Sequence, residues 1–249
     1  MASIIRPSNP GNNPRQQRRW HAFGSTSSLE IQAAKAIELA SQQALQQRKA
    51  FHLALAGGNT PRRVYELLRN ITTDWNQWYI YFGDERCLPL DHPERNSQMA
   101  ELAWLNFVSI PASQIHIIPA EQGEIIAANI YANTLAALPQ FDLVLLGLGE
   151  DGHTASLFPE HDWGNDPAAP ATLAISDAPK PPPQRVSLSA QRLSQTRQLI
   201  FMVTGEAKKQ AVINWQDEKN IPAAAITPAC GVDIYIEQNL LPMHDNRQH

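Results

Sequence analysis

Only two of the 249 residues are cysteine, Cys87 and Cys230, too few for a disulfide framework and without the spacing of metal ligands. No apolar run approaches the roughly 18 residues of a membrane-spanning helix. Excess charge is missing too. A net charge of −4 gives no general attraction to nucleic acid or to an acidic lipid surface. These absences exclude disulfide-stapled scaffolds, helical membrane spans and polybasic binders. What remains is a globular chain in a reducing, cytoplasmic setting, with neither nucleic acid nor membrane as partner. Hydrophobic residues make up 43% and charged residues 18%, a balance that supports a substantial core.

Acidic residues are absent from the first twenty positions, MASIIRPSNPGNNPRQQRRW, which hold three prolines and four arginines. Such a stretch buries too little apolar surface to offset its ordering entropy. It has no apolar core of signal-peptide length, and its prolines oppose the amphipathic helix of a transit peptide. The expectation is a disordered basic tail over residues 1–19, one α/β domain over 20–241 and a C-terminal tail over 242–249.

Between the tails, strand-like runs alternate with helix-like stretches. Strand-like runs fall at 20–23, 51–56, 78–82, 115–119, 141–149, 198–203, 223–226 and 232–237. The first helix follows a capping box, Ser27-x-x-Glu30, with Leu29, Ala33, Ile37, Ala40 and Ala44 at helical spacing. A second is expected from Pro61, capped by Thr60, with Val64, Leu67 and Leu68 on one face. This alternation predicts a doubly wound, mainly parallel sheet. The proline-rich segment 159–185 breaks the rhythm and reads as a long loop, a lid or surface excursion, with a short strand near ATLAI.

Ligands of open parallel sheets bind at the carboxyl ends of the strands. Four strand-end junctions carry unusual polar content: AGGNTPRR, GDERC, GLGEDGHTAS and TGEAKK. In the first, Gly57 and Gly58 let the backbone approach a ligand, and the helix start at Asn59 and Thr60 offers free N–H groups to a phosphate. In the last, Lys208 and Lys209 sit where a helix N-terminus disfavours cations, which makes sense beside an anion. Arg185, before the run VSLS, offers another cation. Asp84 and Arg86 bring a carboxylate and a guanidinium to the end of a third strand.

Gly147-x-Gly149-x-x-Gly152 matches the dinucleotide fingerprint on paper. A diphosphate loop does not tolerate Glu150 and Asp151 within it, and the motif lies past the midpoint of the chain. The glycines instead shape a turn that presents Asp151 and His153, a carboxylate and an imidazole suited to general-base work near neutral pH. His116, inside an apolar run, reads as structural.

In this order and spacing, LALAGGNTP, GDERCLPLDHPERNSQMA, DLVLLGLGEDGHTASLFP and VTGEAKKQAV resemble the 6-phosphogluconolactonase family over roughly residues 20–240. The resemblance implies a modified Rossmann-like fold shared with glucosamine-6-phosphate deaminases, with a small lid or additional segment. It implies hydrolysis of a phosphosugar lactone, 6-phospho-D-glucono-1,5-lactone, by a monomer or weak homodimer without metal or redox cofactor. His153 would activate water, and Asp84, Arg86 and Asp151 would share its site. Gly57, Gly58, Asn59, Thr60, Arg185 and Lys208 would hold the phosphate. Arg86 or backbone N–H groups would stabilise the oxyanion. Asn59 departs from the serine common there. Deaminases resemble DGHIAFNEP, with an acid five positions after the histidine, where this chain has Phe158. A non-catalytic sugar-phosphate sensor is the remaining alternative.

Overall fold

The computed structural model describes residues 15–242; of the tails expected over 1–19 and 242–249, residues 1–14 and 243–249 lie outside this range. The chain opens with β1 (Arg18–Phe23) and α1 (Thr26–Arg48), followed by β2 (Phe51–Leu55) and α2 (Asn59–Leu68). Next come β3 (Trp78–Phe82), β4 (Asp84–Arg86), α3 (Asn96–Ala103), β5 (Ile115–His116) and α4 (Glu124–Leu135). The second half holds β6 (Leu143–Gly147), β7 (Thr172–Ile175), β8 (Arg185–Leu188) and α5 (Ala190–Ser194). It ends with β9 (Leu199–Val203), α6 (Lys209–Gln216) and β10 (Val232–Glu237).

Seven strands form one parallel sheet in the order β1-β10-β9-β6-β2-β3-β5. Both faces are covered, so the central strands β6 and β9 are apolar on every residue rather than alternating; β9 is buried throughout. Phe51 and Trp78 are register partners with ring centroids 4.7 Å apart, and Trp78 in turn meets Trp104, which packs on Tyr65 of α2. One residue along, the pleat turns the side chains to the other face, where His52 stacks on Tyr79 and Tyr81 on His116. His116 is thus the packing histidine expected of it. Among the described residues no helix is long and apolar enough to cross a membrane.

The additional segment is a second, antiparallel sheet in the order β4-β8-β7. Gly83 joins it to the main sheet, donating to the Leu55 carbonyl and accepting from Leu188 N. The short strand expected near ATLAI is β7. Within the GDERC junction, read as the end of a strand, Asp84–Arg86 form a further strand because β8 supplies a partner.

Several local expectations shift. The α1 cap is Ser25, paired with Ser28, not Ser27 with Glu30, because the chain turns directly out of β1 and Ser25 is the last extended residue. Helix α2 starts at Asn59, with Gly58 at the cap and no capping side chain. Thr60 instead bonds to Thr204 (2.7 Å). Leu67 of α2 is exposed, and Tyr65 takes the inward place beside Val64 and Leu68. Residues 223–226 were read as a strand, but Pro222–Ala225 form a 3-10 turn started by Pro222, with Ala223 N donating to Gly152 O. Arg18 and Arg19, assigned to the tail, are strand residues: Arg19 grips Asp233 of β10 through Nε and Nη2 at 2.8 and 2.9 Å.

The hydroxyl of Tyr65 accepts from Ala56 N and donates to Ala56 O, at 3.0 and 2.9 Å, in a fully buried position just before the glycine turn. Tyr65→Phe leaves both backbone groups unpaired. Chemical denaturation is expected to report a loss of about 1–3 kcal/mol; an unchanged midpoint would show that the bonds add nothing.

Candidate active site

Strands β2 and β6 are neighbours, yet the chain leaves β2 toward β3 on one side and β6 toward β9 on the other. Loops that part in opposite directions leave a crevice at the carboxyl ends of the strands. A cavity of about 200 Å³ occupies it. The β2 loop contributes Gly57 and Gly58 to its lining, and β4 contributes Asp84 and Arg86. His153 enters from the β6 loop, Arg185 from β8 and Lys208 from the turn before α6.

The β6 loop closes on itself. Gly149 N donates to His153 O (2.7 Å), Gly152 N to Gly149 O (3.1 Å), and Thr154 Oγ1 to Gly147 O (2.9 Å). A Cβ on Gly149 would fall 1.9 Å from Nδ1 of His153, so the fingerprint-like glycine makes room for an imidazole, not for a diphosphate. Asp151 Oδ1 accepts from both His153 N (3.1 Å) and His153 Nδ1 (2.5 Å). With Nδ1 donating, the neutral ring carries its lone pair on Nε2. Burial holds the His153 pKa below the ordinary imidazole value, against the opposing pull of Asp151. Burial pushes the Asp151 carboxyl up, but the two bonds from His153 outweigh it and the net shift is downward.

Asp84 ties the loops together. It is 6% exposed; Oδ1 accepts from Asn96 Nδ2 (3.0 Å) and Oδ2 from Ser156 Oγ (2.7 Å), three residues beyond His153. Next to it the buried Glu85 accepts from the backbone N–H groups of Arg86, Asn96 and Ser97. That carboxylate fixes the path from β4 into α3.

Arg185, the register partner of Arg86, and Lys208 also line the cavity. The Arg185 guanidinium donates to the carbonyls of Lys180, Pro181 and Pro182 through Nη2 and Nε, which aims it while leaving Nη1 without an acceptor among the described residues. Lys208 Nζ lies 4.0 Å from Glu150 Oε1, and burial lowers its pKa from the ordinary lysine value. Arg86 donates through Nη1 to the Glu94 carbonyl (2.5 Å).

Three residues proposed for the site stand outside the lining. Asn59 is exposed on the first turn of α2, Thr60 bonds to Thr204, and Asp151 sits behind the ring of His153. The other seven share the cavity.

A family model described as glucosamine-6-phosphate isomerases/6-phosphogluconolactonase matches residues 24–235. The chain belongs to this family. A 6-phosphogluconolactonase from Synechocystis sp. is 36% identical over 200 residues, covering 75% of this chain and 81% of the relative. The human 6-phosphogluconolactonase is 36% identical over 227 residues, covering 83% and 86%. The solved structure of 6-phosphogluconolactonase from Trypanosoma brucei superposes with a TM-score of 0.80 at 25% identity, over 90% of this chain and 98% of that one.

Phe158, five positions after His153, is fully buried, with its ring 4.9 Å from that of His153 and 5.5 Å from the Arg185 guanidinium. Asn96, Ser156 and Glu85 were missed as site residues. All three lie within the motifs that carried the resemblance, but a serine or asparagine has no sequence signal of its own until the fold brings it to Asp84.

Proposed function

We propose that this protein hydrolyses 6-phosphoglucono-δ-lactone to 6-phosphogluconate, a step of the oxidative pentose phosphate pathway. His153 takes a proton from water as the water oxygen attacks the lactone carbonyl. Asp151 holds the imidazole by Nδ1 and stabilises the imidazolium once formed. As the tetrahedral intermediate collapses, the bond to the ring oxygen breaks and that oxygen receives the proton. Arg86, whose Nε and Nη2 make no hydrogen bond to described residues, stabilises the oxyanion. The phosphate, with a charge near −2, is held by the Gly57–Gly58 turn, Lys208 and Arg185 through charge-assisted bonds. Gripping the remote anion holds the carbonyl beside the base and removes much of the entropic barrier.

One observation carries this reading: a carboxylate-backed imidazole shares a single cavity with a glycine turn and two cations. The buried Phe158 supports lactone hydrolysis over deamination. Every residue in the scheme comes from one chain. A sensor has no use for a base at His153, so acid release above the spontaneous rate, followed at constant pH without added metal, separates the two.

The base acts only when neutral. Because burial lowers its pKa, the acid limb of kcat/KM is expected to titrate below the ordinary imidazole value of about 6.5. Asp151 pulls that pKa upward, so Asp151→Asn is expected to move the limb to lower pH while reducing the plateau rate. A limb that moves to higher pH would break the link between the two residues.

A further inference from the structure

Asn96 opens α3 and is 4% exposed. Its Nδ2 gives one hydrogen to the Asp84 main-chain oxygen (2.8 Å) and the other to Asp84 Oδ1 (3.0 Å). Both partners can only accept, so the carboxamide has one orientation; the reverse would set oxygen against oxygen. The opposite atom, Oδ1, is thereby turned away from Asp84 toward the glycine turn. A Cβ on Gly57 would fall 2.0 Å from it, and the residue lines the cavity. No described residue donates to Oδ1. The enclosed, unpartnered polar side-chain atoms among the described residues are Gln77 Oε1, Trp104 Nε1 and His161 Nε2. Asn96 Oδ1 is not one of them: it is an acceptor open to the cavity and held in place from behind.

We infer that Asn96 Oδ1 accepts a hydrogen bond from a ring hydroxyl of the substrate, which makes Asn96 a specificity-determining residue of this site. The inference rests on the lactonase reading above. On a phosphorylated aldonolactone the ionised phosphate, the carbonyl and the ring oxygen can only accept, and the hydroxyls alone can donate. Lys208, Arg185 and Arg86 serve the acceptors. Asn96 serves a donor, so it reads the sugar and not the anion.

The test compares kcat/KM for 6-phosphoglucono-δ-lactone and its 2-, 3- and 4-deoxy analogues, on the unmodified protein and on Asn96→Ala and Asn96→Ser. One analogue is expected to lose on the order of tenfold with the unmodified protein, and that loss should shrink to about twofold in both variants. The other two should keep the same ratio to the parent lactone in all three proteins. If no analogue loses with the unmodified protein, the inference is overturned without recourse to any variant. If one loses equally in all three proteins, another residue reads that hydroxyl and the inference is again wrong, although the lactonase reading stands. No turnover of the parent lactone by the unmodified protein would remove the lactonase reading itself.

Discussion

His153→Ala is expected to lower kcat by roughly 10²–10⁴-fold, the usual effect of losing a general base, while 6-phosphogluconate still binds with nearly unchanged affinity. The ring sits in a cradle that other residues complete: Gly149 gives it room, Asp151 orients it and Phe158 packs one side. Removing the imidazole leaves the residues proposed to hold the phosphate in place, because Gly57, Gly58, Arg185 and Lys208 come from other segments. The split between kcat and binding is therefore the informative quantity. Full turnover by the alanine variant would refute the assignment of the base. Joint loss of turnover and affinity would mean that the loop itself had collapsed.

Lys208→Ala is expected to raise KM for the phosphorylated lactone by about 10–100-fold, the cost of one charge-assisted bond to a phosphate, with a much smaller effect on kcat. Lys208 lines the cavity from the turn before α6, and Thr204 of the same segment bonds to Thr60 beside the glycine turn. The two elements proposed to bind the phosphate are thus stitched together, and loss of one cation leaves the turn and Arg185 in place. Steady-state kinetics at fixed ionic strength checks this. A fall in kcat with KM unchanged would place Lys208 at the reacting carbonyl instead.

Much of this geometry was legible before any coordinates. Glycines and charges concentrated at strand ends are legible because a parallel sheet sends its functional loops to one edge. Seven of the ten residues named for the site do line one cavity. The rest depended on partners distant in sequence. Asp84 and Arg86 were read at the end of a third strand, but their pairing with β8 and the burial of Glu85 on four donors, three backbone N–H groups and the Ser97 hydroxyl, were not legible. Asn96 and Ser156 acquire meaning only through Asp84, 12 and 72 residues away along the chain. Thr60 looked like a helix cap by residue type, but Gly58, with φ of 107°, starts the helix and frees its hydroxyl for Thr204. Tyr65 displaced Leu67 from the inward face because its hydroxyl satisfies the backbone of Ala56, a gain that hydrophobic periodicity does not register.

The most direct measurement is acid release by the unmodified protein from 6-phosphoglucono-δ-lactone beside glucono-δ-lactone, at constant pH and without added metal. If the remote phosphate is what brings the carbonyl to His153, kcat/KM for the phosphorylated lactone should exceed that for the plain one by roughly 10²-fold or more. Equal values for the two lactones, each corrected for spontaneous hydrolysis, would contradict it.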